Sequence, residues 1–263
     1  MLERLHERIK ENIQSGNPTL DLHWTILEGF NFKLLSQCIH LQTLTLSCND
    51  TVKQLDWIKP LKNLTELDLR SCKIYDISPL KDLIHLKSLD LNYNHFFTDF
   101  SALSNLTKLE SLGLAGNRVS NISFLKPLKK LRKLDLDVNR ITDLAPIEVL
   151  QSLEEISLVS NDVEDFYSLT KLGSLKKIVC DIERLPYPPI WYIYLKHKKG
   201  KLSDYLQLPE LPQVQSIWRL LCSNHPTNLI LAQQLATSQG WSSEDFEMYK
   251  NNRPREPEED EWI

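Results

Sequence analysis

The sequence predicts an α/β solenoid, a curved coil with a parallel β-sheet along its concave face and short 3₁₀ turns along its convex face. Three observations predict it. A leucine opens each successive segment, at Leu41, Leu64, Leu86, Leu109, Leu131, Leu153 and Leu175, so one unit recurs every 22 residues with an occasional 23. Within each unit apolar residues alternate, as Leu44/Leu46, Leu67/Leu69, Leu89/Leu91, Leu112/Leu114, Leu134/Leu136 and Ile156/Leu158, the period of a short strand with one buried face. Between units the leucines step by three, as in Leu80/Leu83/Leu86, Leu103/Leu106/Leu109 and Leu125/Leu128/Leu131, the period of a tight 3₁₀ turn with one apolar edge.

The ninth position of the unit is Asn49, Cys72, Asn94, Asn117, Asn139 and Asn161. An asparagine there can turn its amide inward and satisfy backbone groups where the chain leaves the strand, whereas the thiol of Cys72 does so weakly, which predicts a local softness. Ser78-Pro79 suits the start of a turn, with serine as the cap and proline preorganised at the first position. One coil cannot bury its own leucines, but stacked coils share a continuous core and pair their strands in parallel.

The pattern L-x-x-L-x-L-x-x-N resembles the leucine-rich repeat family, over roughly residues 17–185 and in register in every copy. The short period and the continuation from Ile74 to Leu80 resemble the internalin-type and protein-phosphatase-regulator-type subclasses, between which the sequence does not decide. The resemblance implies a protein-interaction role and no particular partner. The C-terminal cap of the phosphatase-regulator group is not recognisable in this chain.

A stack of coils needs its ends covered. Residues 1–16 read as a capping helix with Leu2, Leu5, Ile9 and Ile13 on one face, stopped at Ser15-Gly16-Asn17-Pro18, and Thr19 to Leu22 read as a degenerate first strand. After residue 185 the repeat is lost. Residues 186–212 form a proline, aromatic and basic cap or linker, 213–250 a helical segment expected to pack on the last coil, and 251–263 an acidic tail. The net charge of −4 gives no general attraction to nucleic acid. The opening MLERLHERIKENIQSG carries no apolar export signal and no run reaches the length of a membrane span, so a cytoplasmic monomer is expected. Five scattered cysteines without metal or redox spacing read as reduced thiols in or near the core.

No phosphate-cradling glycine loop, nucleophile elbow or metal-binding spacing occurs, so neither a cofactor nor a metal is expected. His40 and His85 read as surface residues of the tight turns. An enzymatic reading would have to join His197, Asp204, His225 and Glu244 in the C-terminal third, and no spacing ties them together. What remains is the concave face. Alternation turns the residues between and after the strand leucines away from the core, which collects Asp68, Asp90, Asp135 and Asp137 into an acidic stripe with Arg70, Asn92 and Tyr93 among them. The stripe reads either as solubilising filler or as the site for a protein partner carrying basic residues. The aromatics Trp191, Tyr192 and Tyr194 beside Lys196, Lys198 and Lys199 likewise read either as a cover for the last coil with solvated lysines or as a second contact. The overall expectation is a non-catalytic interaction module, with a regulatory subunit or a neutralising partner of an enzyme or toxin as the alternative.

Overall fold

In the computed structural model of the chain, residues 2–25, 27–163 and 167–180 are described. Helix α1 (Leu2–Ser15) opens the fold and presses Leu5 and Ile9 into the core, with Leu2 and Ile13 partly buried beside them. Gly16, at φ +64°, ends it, and the Gly16 N–H returns to Asn12 O at 3.0 Å. Asn12 joins helix to solenoid. Its amide donates to Asn17 O (3.1 Å) and Thr19 O (3.0 Å), and its Oδ1 meets His40 Nε2 at 3.0 Å. His40, expected as a plain surface residue, is instead a half-buried partner that satisfies this asparagine.

Eight three-residue strands follow: β1 (Thr19–Asp21), β2 (Thr43–Thr45), β3 (Glu66–Asp68), β4 (Ser88–Asp90), β5 (Ser111–Gly113), β6 (Lys133–Asp135), β7 (Glu155–Ser157) and β8 (Lys177–Val179). They form one parallel sheet in chain order. The register places like on like, with Leu44 opposite Leu67, Leu67 opposite Leu89, and onward to Ile156 opposite Ile178. Because each of these side chains is buried, a slip of one residue would turn the whole apolar row to water. At roughly 2 kcal/mol for each fully buried leucine, the register is strongly fixed.

The return side of the coil carries 3₁₀ turns at Phe32–Gln37, Asp56–Ile58, Ser78–Asp82, Ser101–Asn105, Ser123–Leu125 and Ala145–Val149, and a short helix, α2 (Tyr167–Thr170), in the last described coil. Their starts differ from expectation. Ser78 does not cap its turn: its N–H and hydroxyl donate to the Asp76 carboxylate at 2.7 and 2.8 Å. The same device recurs as Asp99 to Ser101 N, Asn121 to Ser123 N and Asp143 to Ala145 N, each at 2.8 Å. An Asx side chain two residues upstream reaches the first free N–H with better geometry than the serine in the turn itself. The Asp99 carboxyl is held below its usual range by the Ser101 N–H and hydroxyl.

Down the centre runs a ladder of ninth-position side chains. Asn139 Nδ2 donates to Leu114 O, Leu136 O and Asp137 O at 2.9, 2.8 and 3.1 Å, while its Oδ1 accepts from Asn117 N and Val119 N at 3.2 and 2.8 Å. Asn49, Asn94, Asn117 and Asn161 repeat the pattern with the coil before them. Cys72 keeps a reduced version of it, in which the thiol donates to Leu46 O at 3.2 Å or Arg70 O at 3.5 Å. Burial pushes that thiol up to about 12, so it remains protonated and able to donate. The expected cap or linker at 186–212, the helical segment at 213–250 and the tail at 251–263 lie outside the described residues, as does the end of the repeat span from 181.

Candidate protein-binding face

The aspartates that follow the first strand leucine do local work first. Asp21, Asp68, Asp90 and Asp135 each turn one oxygen onto the N–H two residues ahead, of His23, Arg70, Asn92 and Asp137, at 2.9 to 3.1 Å. This bond satisfies a donor that the strand ladder leaves free, which is why aspartate suits the position in its own right.

Parallel pairing then sets these carboxylates side by side. Asp68 stands opposite Asp90, and Gly113 stands opposite both Asp90 and Asp135. Arg70 answers the first two, with its guanidinium 3.2 Å from Asp68 Oδ2 and 3.7 Å from Asp90 Oδ2. Asn92 crosses the glycine: its side chain lies where a Cβ on Gly113 would be, 2.8 Å away, and its amide reaches Asp135 Oδ2 at 3.3 Å. Its own oxygen accepts from Ala115 N at 2.6 Å. Asp137 Oδ1 accepts from Ser157 Oγ and Val159 N at 2.6 and 2.8 Å. Removal from water raises the Asp90 carboxyl above its usual range, and neighbouring Asp68 and Asp135 add to this, against the pull of the Asn92 N–H and of Arg70.

The sequence-predicted residues Asp68, Arg70, Asp90, Asn92, Asp135 and Asp137 are therefore brought into one connected row, with Tyr93 at its edge. Trp191, Tyr192, Tyr194, Lys196, Lys198 and Lys199 lie outside the described residues.

One feature of the face escaped the sequence reading. The eighth residue of each coil described that far, Trp24, Cys48, Ser71, Tyr93, Gly116, Val138 and Ser160, has a left-handed backbone with φ between 50° and 68°. Three of them are exposed apolar side chains, Trp24 at 74%, Tyr93 at 52% and Val138 at 51%. The Tyr93 ring lies over Gly116, its Cδ1 2.6 Å from where a Cβ would stand. The signal was available as a column of the repeat, but its backbone conformation was not.

A histidine and a serine also meet, His23 Nδ1 and Ser47 Oγ at 2.8 Å. Ser47 is fully buried, so its hydroxyl is out of reach of a substrate. Among the described residues, no group of three or more His, Cys, Asp or Glu is placed to hold a metal ion. No helix among them is long and apolar enough to cross a membrane.

A family model for leucine-rich repeats in two copies matches residues 62–105 and 107–150. The fold agrees with it coil by coil. The chain carries leucine-rich repeats. Among solved structures the repeat protein is similar to an internalin (inlF) of Listeria monocytogenes, at 28% identity over 67% of this chain and 55% of that one, with a TM-score of 0.61. It is also similar to an internalin C2 (inlC2) of the same organism, at 29% identity over 56% of this chain and 64% of that one, with a TM-score of 0.51. The repeat protein thus spans less than two thirds of either internalin. Comparison with curated proteins finds no match.

Proposed function

We propose that the repeat protein is a non-catalytic interaction module whose concave face receives a protein partner presenting basic residues, with Asp68, Arg70, Asp90, Asn92, Tyr93, Asp135 and Asp137 as the contacts. The observation that carries this reading is the charge balance of the row. The Arg70 guanidinium answers two of the four carboxylates, Asp68 and Asp90, and Asp90 is withdrawn from water far enough to raise its carboxyl. The bonds to the N–H two residues ahead explain why aspartate is tolerated. Together with the parallel register they set Asp68, Asp90 and Asp135 in one row, and the self-repulsion of that row is what a cationic partner would relieve.

In this reading the protein acts as a monomer in a reducing, cytoplasmic compartment, where the buried thiol of Cys72 stays a donor in the ladder. The role of a regulatory or neutralising subunit is a special case, marked by a single tight, stoichiometric partner. The test is affinity capture from native lysate with the full chain beside a variant carrying Asn at Asp68, Asp90, Asp135 and Asp137. Asparagine keeps an oxygen for the local N–H, so the variant is expected to fold while losing the charges and the Arg70 ion pairs. One protein captured stoichiometrically by the first and lost by the second supports the face as the site. Equal capture by a folded variant sinks it and moves the search to residues 186–250.

A further inference from the structure

Beside the first two 3₁₀ turns the surface opens into a cleft of about 640 Å³, within the range of ligand-sized sites. Its aromatic lining comes from three successive coils. Phe32 and Trp57 stack with ring centroids 5.6 Å apart, and Tyr75, 51% exposed, lines the same cleft. Tyr75 leans on Phe96 of the following coil, itself 41% exposed, so the apolar surface continues past the cleft. Lys33 and Lys53 also line it, and among the described residues neither has a carboxylate partner. The carboxylate in the lining, Asp56, is held by Lys59 at 2.7 Å, while nearby Asp50 and Asp76 are engaged by Lys73 and by Ser78. The cleft thus sets exposed rings beside two uncompensated cations, the converse of the concave row.

The chain carries a segment of complementary chemistry. Residues 256–262 read EPEEDEW, five carboxylates next to Trp262. The acidic concave row repels such a segment, whereas Lys33 and Lys53 attract it. At about 4.8 Å per strand the first coils stand roughly 30 Å from the last, a distance that about ten extended residues cover. The stretch between Cys180 and Glu256 is several times longer.

We propose that residues 256–262 dock in this cleft of their own chain, with their carboxylates on Lys33 and Lys53 and the Trp262 ring against Phe32, Trp57 and Tyr75. Tethering makes the segment an internal ligand: it covers rings that otherwise face water, and it yields the cleft to a partner segment that is likewise acidic and aromatic. The inference stands apart from the concave-face reading.

The experiment puts the photoreactive p-benzoylphenylalanine at position 262 of the full chain in place of Trp262, which keeps a ring there, and identifies the cross-linked peptides by mass spectrometry. The expected result is an adduct within the monomer, on residues 31–36, 53–57 or 75. Lys33→Glu/Lys53→Glu should cut its yield about fivefold, and Tyr75→Ala should lower it as well. All three side chains are exposed, so the unfolding midpoint should hold in both variants. Adducts on residues 126–130 or 196–199, or none at all, overturn the proposal. An adduct confined to cross-linked dimers overturns the internal docking and assigns the segment to a second copy of the chain. A yield that both folded variants leave unchanged overturns the pairing with these lysines and rings.

Discussion

The side chain of Asn117 does what no leucine beside it can. It donates to Leu91 O and Ala115 O at 3.0 and 3.1 Å and accepts from Asn94 N at 2.9 Å, tying its own coil to the one before it. Asn117→Ala would strand these buried groups, with a cost of about 2–3 kcal/mol in unfolding free energy. At Cys72 the situation is reversed. One thiol hydrogen serves two carbonyls, at 3.2 and 3.5 Å, where an asparagine amide serves them together. Cys72→Asn should therefore stabilise the chain by about 1 kcal/mol, read as a higher urea midpoint at unchanged slope. A lower midpoint would mean that the pocket is shaped for sulfur and that the ladder is not softened there.

At the scale of the strand, register turns a local habit into a collective property. Each aspartate answers its own coil, but the pairing of β3 with β4 sets Asp68 against Asp90 and makes both part of a charged row. Desolvation raises the Asp90 carboxyl, so the folded chain holds that proton more tightly than the unfolded chain. The contribution of Asp90 to stability is then present in acid and lost as pH rises through its folded value. Asp90→Asn, which keeps an acceptor for the Asn92 N–H, should be more stable than the native chain at neutral pH. That advantage should vanish below the carboxylate range, as unfolding curves at the two conditions would reveal. An advantage that persists in acid would assign the effect to something other than charge. The strands and turns were legible in the sequence because their periods of two and three are carried by leucines, whose burial leaves no alternative. The caps were less so. Asp76, not Ser78, holds the turn, because the choice depends on which oxygen reaches the N–H, and both residues fit the pattern. Asn12 and His40 form a pair across 28 residues that no period announces.

Across the whole molecule, each coil adds one layer of shared core and one row of exposed residues, and α1 covers the open first coil with Leu5 and Ile9. Stability in such a stack is a sum of coils and their interfaces, so substitutions on the face need not disturb the core. The candidate site was legible as residue types: Asp68, Asp90 and Asp135 fall in one column by counting alone. Its edge was not, because the left-handed backbone of Tyr93 and Val138 and the ring lying on Gly116 are properties of the stacked coils. The most direct measurement of whether this face is the binding site is hydrogen exchange of the full chain, alone and with its captured partner. Partner binding should slow exchange at residues 90–93, 113–116 and 135–138, with the 3₁₀ turns unchanged. Protection confined to the 3₁₀ turns, or to residues 186–250, would contradict it.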